Sequence, residues 1–160
     1  NMKKSNRREL REKALQVLYA YEFNGEGLTS LTDGILTDVN SPTDKQFAKS
    51  LIDRVVANQK QLEEMIKEKV ENWEMERIAI IDRILLKIGI VEILYFPDIP
   101  PKVSINEVIE IAKDYSTSNS GKFINGILDA ILSEAKKDGR LNKSGRGLIE
   151  ESLPKKSDED

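Results

Sequence analysis

Between Glu74 and Phe96 the chain carries Ile78, Ile80, Ile81, Ile84, Leu85, Leu86, Ile88, Ile90, Val91, Ile93 and Leu94, apolar residues that fall on nearly every side of a helical wheel. A helix that is apolar all round must be covered all round. At about 20 residues, with Asp82, Arg83, Lys87 and Glu92 inside it, the segment reads as the central helix of a globular core and not as a membrane span. Pro97, Pro100 and Pro101 end it, since proline lacks the amide that would continue the ladder.

The remaining segments supply helices to cover it. From Arg7 to Phe23, Leu10, Ala14, Val17, Leu18 and Tyr21 recur at steps of three or four, and Asn24-Gly25 with Gly27 ends the run. Residues 28 to 42 read as a short, weakly specified helix followed by a loop at Asn40-Ser41-Pro42. Thr43 or Asp44 can cap the next helix, which carries Phe47, Leu51, Ile52, Val55 and Val56 and breaks near Asn58. Another carries Leu62, Met65, Ile66 and Val70 up to a turn at Asn72-Trp73. Beyond the prolines, Ser104-Ile105-Asn106-Glu107 fits a capping box that opens a helix to about Tyr115. The turn Ser116-Thr117-Ser118-Asn119 suits the N-cap of a last helix bearing Phe123, Ile124, Ile127, Leu128, Ile131 and Leu132.

The expected fold is therefore all-α, with six or seven helices, no strand needed, and one domain over 3–135. From 136 to 160 the chain loses periodicity and gains glycine and charge, so it is expected to be a disordered, charged C-terminal tail whose removal from Asn142 onward leaves stability nearly unchanged. Asn1 stands ahead of what reads as the initiator Met2 and is expected to be a remnant of expression. No basic-then-apolar leader is seen, which points to a cytoplasmic protein.

Composition narrows the chemistry. The 160 residues contain neither cysteine nor histidine, so there is no thiolate, no imidazole base and none of the commonest metal ligands. No Gly-rich phosphate loop, nucleophile elbow or metal-ligand spacing appears, and no catalytic residue, metal or cofactor is expected. The net charge of −3 does not advertise nucleic-acid binding. Its distribution is more informative. Lys3, Lys4, Arg7, Arg8, Arg11 and Lys13 stand against Glu9 and Glu12, making a basic arm on an acidic chain.

On a wheel turning about 100° per residue, Arg8, Arg11, Leu15 and Tyr19 form a second stripe beside the apolar face of the first helix. Cations next to an exposed ring suit single-stranded nucleic acid, because guanidinium groups hold phosphates while flat rings stack on bases. The plainer alternative is a solvated basic helix end with Tyr19 at the core edge. Phe123, at the edge of the apolar arc of the last helix and beside Lys122, is a second exposed-ring candidate, although it could equally complete the core. Asp82 falls off the best core face of the central helix, where an acid is ordinarily a salt-bridge partner.

Three stretches resemble the NusB family: Arg7-Arg8 through Arg11 into Ala14-Leu15-Gln16-Val17-Leu18-Tyr19, then Asp82-Arg83-Ile84-Leu85-Leu86-Lys87-Ile88-Gly89, then Pro101 to Asp129. The third is the most specific, with Lys102-Val103-Ser104-Ile105-Asn106-Glu107, Ile111-Ala112-Lys113 and Lys122-Phe123-Ile124-Asn125-Gly126-Ile127-Leu128-Asp129 in order. The resemblance implies two packed helical subdomains and a bacterial, cytoplasmic transcription antitermination factor, not an enzyme. Such a factor binds boxA leader RNA together with the ribosomal protein NusE in the transcription elongation complex, and a homodimer is among its possible states. It implies RNA contact at Arg8, Arg11, Lys122, Phe123 and Asn125, and partner contact at Tyr19, Glu76 and Asp82. Glu9 interrupts the arginine run that relatives extend, and Asn119 stands where some carry an acid. Two other functions compete: a NusB-like domain of the kind found at the N-terminus of ribosomal RNA cytosine methyltransferases, and a purely protein-binding helical module.

Overall fold

In the computed structural model, residues 6–149 are described, with the backbone alone at 72–74. They form eight α-helices and a closing 3₁₀ turn: α1 (Asn6–Asn24), α2 (Leu28–Ile35), α3 (Pro42–Ala57), α4 (Gln59–Lys67), α5 (Asn72–Arg77), α6 (Ile80–Tyr95), α7 (Pro101–Tyr115), α8 (Ser120–Asp138) and the turn Gly145–Leu148. There is no strand among the described residues. Helices α1 to α3 pack together as one group and α6 to α8 as another, and α6 joins the two by also contacting α1, α3 and α4.

The continuous apolar pattern of α6 has its expected result: Ile84 through Ile93 are buried without a break, charged Lys87 and Glu92 included. Lys87 reaches out of the core to donate to Gln59 Oε1 at 2.7 Å and Glu63 Oε2 at 2.6 Å, which ties α4 to α6. Gly89 permits the closest approach of α6 and α8, for a β-carbon there would lie 2.7 Å from a methyl of Leu128.

Several boundaries differ from expectation. The segment from Glu74 onward is two helices, because Ala79 leaves the helical region at φ −58°, ψ 143° without a side-chain cap, and Ile80 stands at the exposed start of α6. What reads as a turn at Asn72-Trp73 is the start of α5. Ser41, not Thr43 or Asp44, caps α3, its hydroxyl accepting from the Asp44 amide with Pro42 in the first helical turn. Helix α7 begins at Pro101, so Ser104 lies inside it and makes no cap. Its hydroxyl instead donates to buried Glu92 Oε1 at 2.7 Å.

The last helix runs to Asp138, past the expected limit at Ala135, and residues 139–149 return to the domain. Lys143 Nζ donates to the Phe96 and Glu92 carbonyls at 2.8 and 3.1 Å, and the Ser144 amide donates to the Pro97 carbonyl. Gly147 is needed there, since a β-carbon would stand 1.8 Å from the Pro97 oxygen. This strap corrects the expectation of a detached tail up to residue 149. The part of that expectation concerning 150–160 lies outside the described residues.

Candidate functional site

The N-terminal half of α1 carries the two arginines singled out by sequence. Arg11 is 3% exposed. Its Nε and Nη2 donate to Glu92 Oε2 and Oε1 at 2.6 and 2.9 Å, and its guanidinium lies 5.6 Å from the centre of the Phe47 ring. Burial works against the charge, but Glu92 and then Glu107 more than offset it and hold the group above its ordinary value. Leu15, on the same stripe, is also buried. The expected exposed stripe is thus corrected at both positions: α6 and α7 cover this flank of α1 while α3 covers another. Arg8 is more open, at 26% side-chain exposure, and it grips Glu107 through Nε and Nη2 at 2.8 and 3.0 Å. Lys3 and Lys4 of the basic arm lie outside the described residues.

At the other end of α1, Tyr19 is 42% exposed and meets the more exposed Phe23 edge-on, with ring centres 5.0 Å apart. Gln16 Nε2 reaches the Tyr115 hydroxyl at 3.4 Å, which brings α7 onto the same aromatic surface. Sequence reasoning missed Phe23 and Tyr115. Phe23 sits at the very end of the periodic run, and nothing local marks it as outward.

The first two turns of α8 present Lys122 and Asn125 to solvent and hold Phe123 half-buried against the core. Both alternatives for Phe123 therefore hold in part: one portion of the ring completes the core while the rest lines a crevice of about 380 Å³. Asp82, Ser120, Ser116 and Arg77 line the same crevice. Asp82 is 7% exposed, not off the core face as its wheel position suggests, because the α7–α8 turn folds over it. Its Oδ2 accepts from Ser120 Oγ at 2.6 Å, whereas Oδ1 is buried without a hydrogen bond. Ser120 Oγ is in turn 2.9 Å from Ser116 Oγ and 3.3 Å from Thr117 Oγ1. These hydroxyls fit a helix cap by sequence, but Asn119 makes no side-chain cap and they turn toward Asp82 instead.

The crevice thus joins Asp82, expected at a protein interface, to Phe123, expected at RNA. Glu76 does not join them: it is exposed and borders a separate cleft with Glu63, Glu64 and Lys67. Among the described residues, no group of three or more acids could hold a metal ion, and no helix is long and apolar enough to cross a membrane. Chemically the arrangement offers a partly open ring, an adjacent cation and a buried carboxylate with one unused oxygen. These are tools of recognition.

Comparison with known proteins gives the family. The transcription antitermination protein NusB of Chloroherpeton thalassium is 48% identical over 155 residues, covering 96% of this chain and 72% of that protein. Its counterpart in Salinibacter ruber is 44% identical over 147 residues, covering 91% of this chain and 92% of that protein. Among solved structures, T. maritima NusB superposes with a TM-score of 0.76 at 37% identity, over 83% of this chain and 94% of that one. The antitermination factor NusB solved with NusE and dsRNA shares the fold, with a TM-score of 0.73 at 24% identity over 81% of this chain and 97% of that one. The NusB family model matches residues 8–133, from Arg8 to just beyond the Leu132 end of the α8 core, and the chain belongs to the NusB family.

Proposed function

We propose that the protein is a transcription antitermination factor that binds single-stranded boxA leader RNA jointly with the ribosomal protein NusE, acting in the cytoplasm without a catalytic step. The observation that carries this reading is the first turn of α8. There the half-open Phe123 ring lines the crevice that also holds Asp82, with exposed Lys122 next to it in the chain and exposed Asn125 in the following turn. A ring with one free face can stack on a base, and the neighbouring ammonium can hold a phosphate. The exposed Tyr19 and Phe23 rings form an apolar surface suited to a protein partner, with Asp82 supplying a negative charge for a basic one. Arg11 does not belong to the RNA face on this reading, and it acts by fixing α1 to α6.

A second reading, a helical module that binds protein alone, draws on the pairing of both α1 arginines with carboxylates. Titrating labelled boxA RNA with and without NusE separates the two. Phe123→Ala should lose on the order of 1–3 kcal/mol of RNA affinity with the salt dependence unaltered. Lys122→Ala should flatten the salt dependence by about 0.7 log unit per log unit of salt. If neither change alters binding in the presence of NusE, the protein-binding reading stands.

A further inference from the structure

Around Arg8 and Arg11, carboxylates arrive from three helices. Glu107 of α7 fills the Nε and Nη2 side of the Arg8 guanidinium, and the same carboxylate lies 3.7 Å from Arg11 Nη1. Glu12 of α1 and Glu110 of α7 lie within electrostatic reach of Arg8, and Glu92 of α6 engages Arg11. Lys113 pairs with Glu110 at 2.8 Å. Four carboxylates, Glu12, Glu92, Glu107 and Glu110, therefore surround three cations, Arg8, Arg11 and Lys113. Among these described residues the carboxylates at least match the cations, so a phosphate approaching Arg8 competes with carboxylates already in place. It also meets an occupied fork, since the Nε/Nη2 edge, one of the two edges of the guanidinium that match a phosphate, is already matched by Glu107. Both partners stay within reach of solvent, at 26% and 18% side-chain exposure.

We propose that Glu107 is a gate on RNA binding, an internal carboxylate that occupies the Arg8 fork in place of an RNA phosphate and so restrains affinity until a phosphate displaces it. The proposal rests on the RNA-binding reading above and on the RNA contact that the family resemblance implies at Arg8. Displacement exchanges one charge-assisted pair for another, so the net gain from Arg8 in the parent is small. Removing the Glu107 charge makes that gain larger. The opposite role, in which Glu107 orients Arg8 so that its remaining N–H groups hold phosphate, would give the opposite sign on removal.

The test uses the full chain with NusE and labelled boxA RNA over a range of salt. Glu107→Gln should tighten RNA binding by about two- to fivefold, the scale of a partly exposed charge pair. It should also steepen the salt dependence by up to about 0.7 log unit per log unit, as one more phosphate is neutralised. In an Arg8→Ala background the same change should give no gain. Glu110→Gln, on a more exposed side chain, should give a smaller gain of the same sign, and it decides the matter if Glu107→Gln does not fold. Unchanged or weaker binding by Glu107→Gln, with Arg8→Ala still weakening it, would overturn the gate while leaving the RNA reading intact. No response to either Arg8→Ala or Glu107→Gln would overturn both the gate and the placement of RNA on this face.

Discussion

Glu92 and Asp82 are buried acids on the same helix, ten residues apart, and the fold treats them in opposite ways. Glu92 is fully covered: both oxygens accept from Arg11, one also from Ser104, and its backbone carbonyl accepts from Lys143. Four parts of the chain, α1, α6, α7 and the C-terminal strap, meet on this one residue. Asp82 receives a single hydroxyl on one oxygen and nothing on the other, at the wall of an open crevice. A buried charge that is completely paired serves the fold, whereas one left half-paired retains capacity for a ligand at a cost in stability. The contrast separates a carboxylate that holds the helices together from one that keeps an oxygen unpaired.

The largest expected effect comes from breaking the complete knot. Glu92→Gln leaves the buried Arg11 guanidinium with only the longer 3.7 Å contact to Glu107 and should cost about 3 kcal/mol or more, read as a drop in urea midpoint. A loss below 1 kcal/mol would place Glu92 and Asp82 in the same class. Next comes the strap. Removing residues from Asn142 onward deletes the Lys143 ammonium, the Ser144 amide and the Gly147 contact, and at about 1 kcal/mol net for each of three hydrogen bonds it should cost about 3 kcal/mol. An unchanged thermal midpoint would mean that the strap contributes nothing to the knot.

The strap also has a pH signature. Burial pushes the Lys143 ammonium down to about 8, against the pull of Glu92 and Asp98, from an ordinary value near 10.5. The folded protein then binds fewer protons than the unfolded chain between those values, so stability rises with pH across that window and is lost again as pH falls through about 8. The difference between the parent and Lys143→Met, which cancels other titrations, should grow in the parent's favour across that window in urea melts. The smallest expected effect on folding is at Asp82. Asp82→Asn keeps an acceptor for Ser120 and removes an incompletely paired charge, so stability should stay within about 1 kcal/mol of the parent's.

The same contrast explains what was legible in the sequence. The unbroken apolar run of α6, the prolines after it and the periodicity of α1, α3 and α8 declare helices and a buried centre, because those signals belong to single segments. Arg11, Asp82 and Ser104 were misplaced because a helical wheel gives a direction about one axis and says nothing of which neighbours cover it. Ser104 fits a capping box by spacing, yet Glu92, twelve residues earlier and on another helix, claims its hydroxyl. The strap has no periodicity to read. It is held by an ammonium on helix-end carbonyls and by a glycine against a backbone oxygen, which are contacts that composition does not register. Phe123 beside Lys122 was legible as a candidate because its edge position on α8 does follow from the apolar arc of that helix alone.

The most direct measurement takes one preparation of Asp82→Lys and records both its thermal unfolding and its NusE-dependent binding of boxA RNA. Asp82 opens onto a crevice and completes no knot, so the substitution should leave a cooperative transition and full helical content. Reversing the charge should at the same time weaken binding of NusE, chiefly through a slower on-rate, and with it the NusE-dependent part of RNA binding. Binding equal to the parent's, or a domain that no longer folds, would contradict the division between structural and available carboxylates on α6.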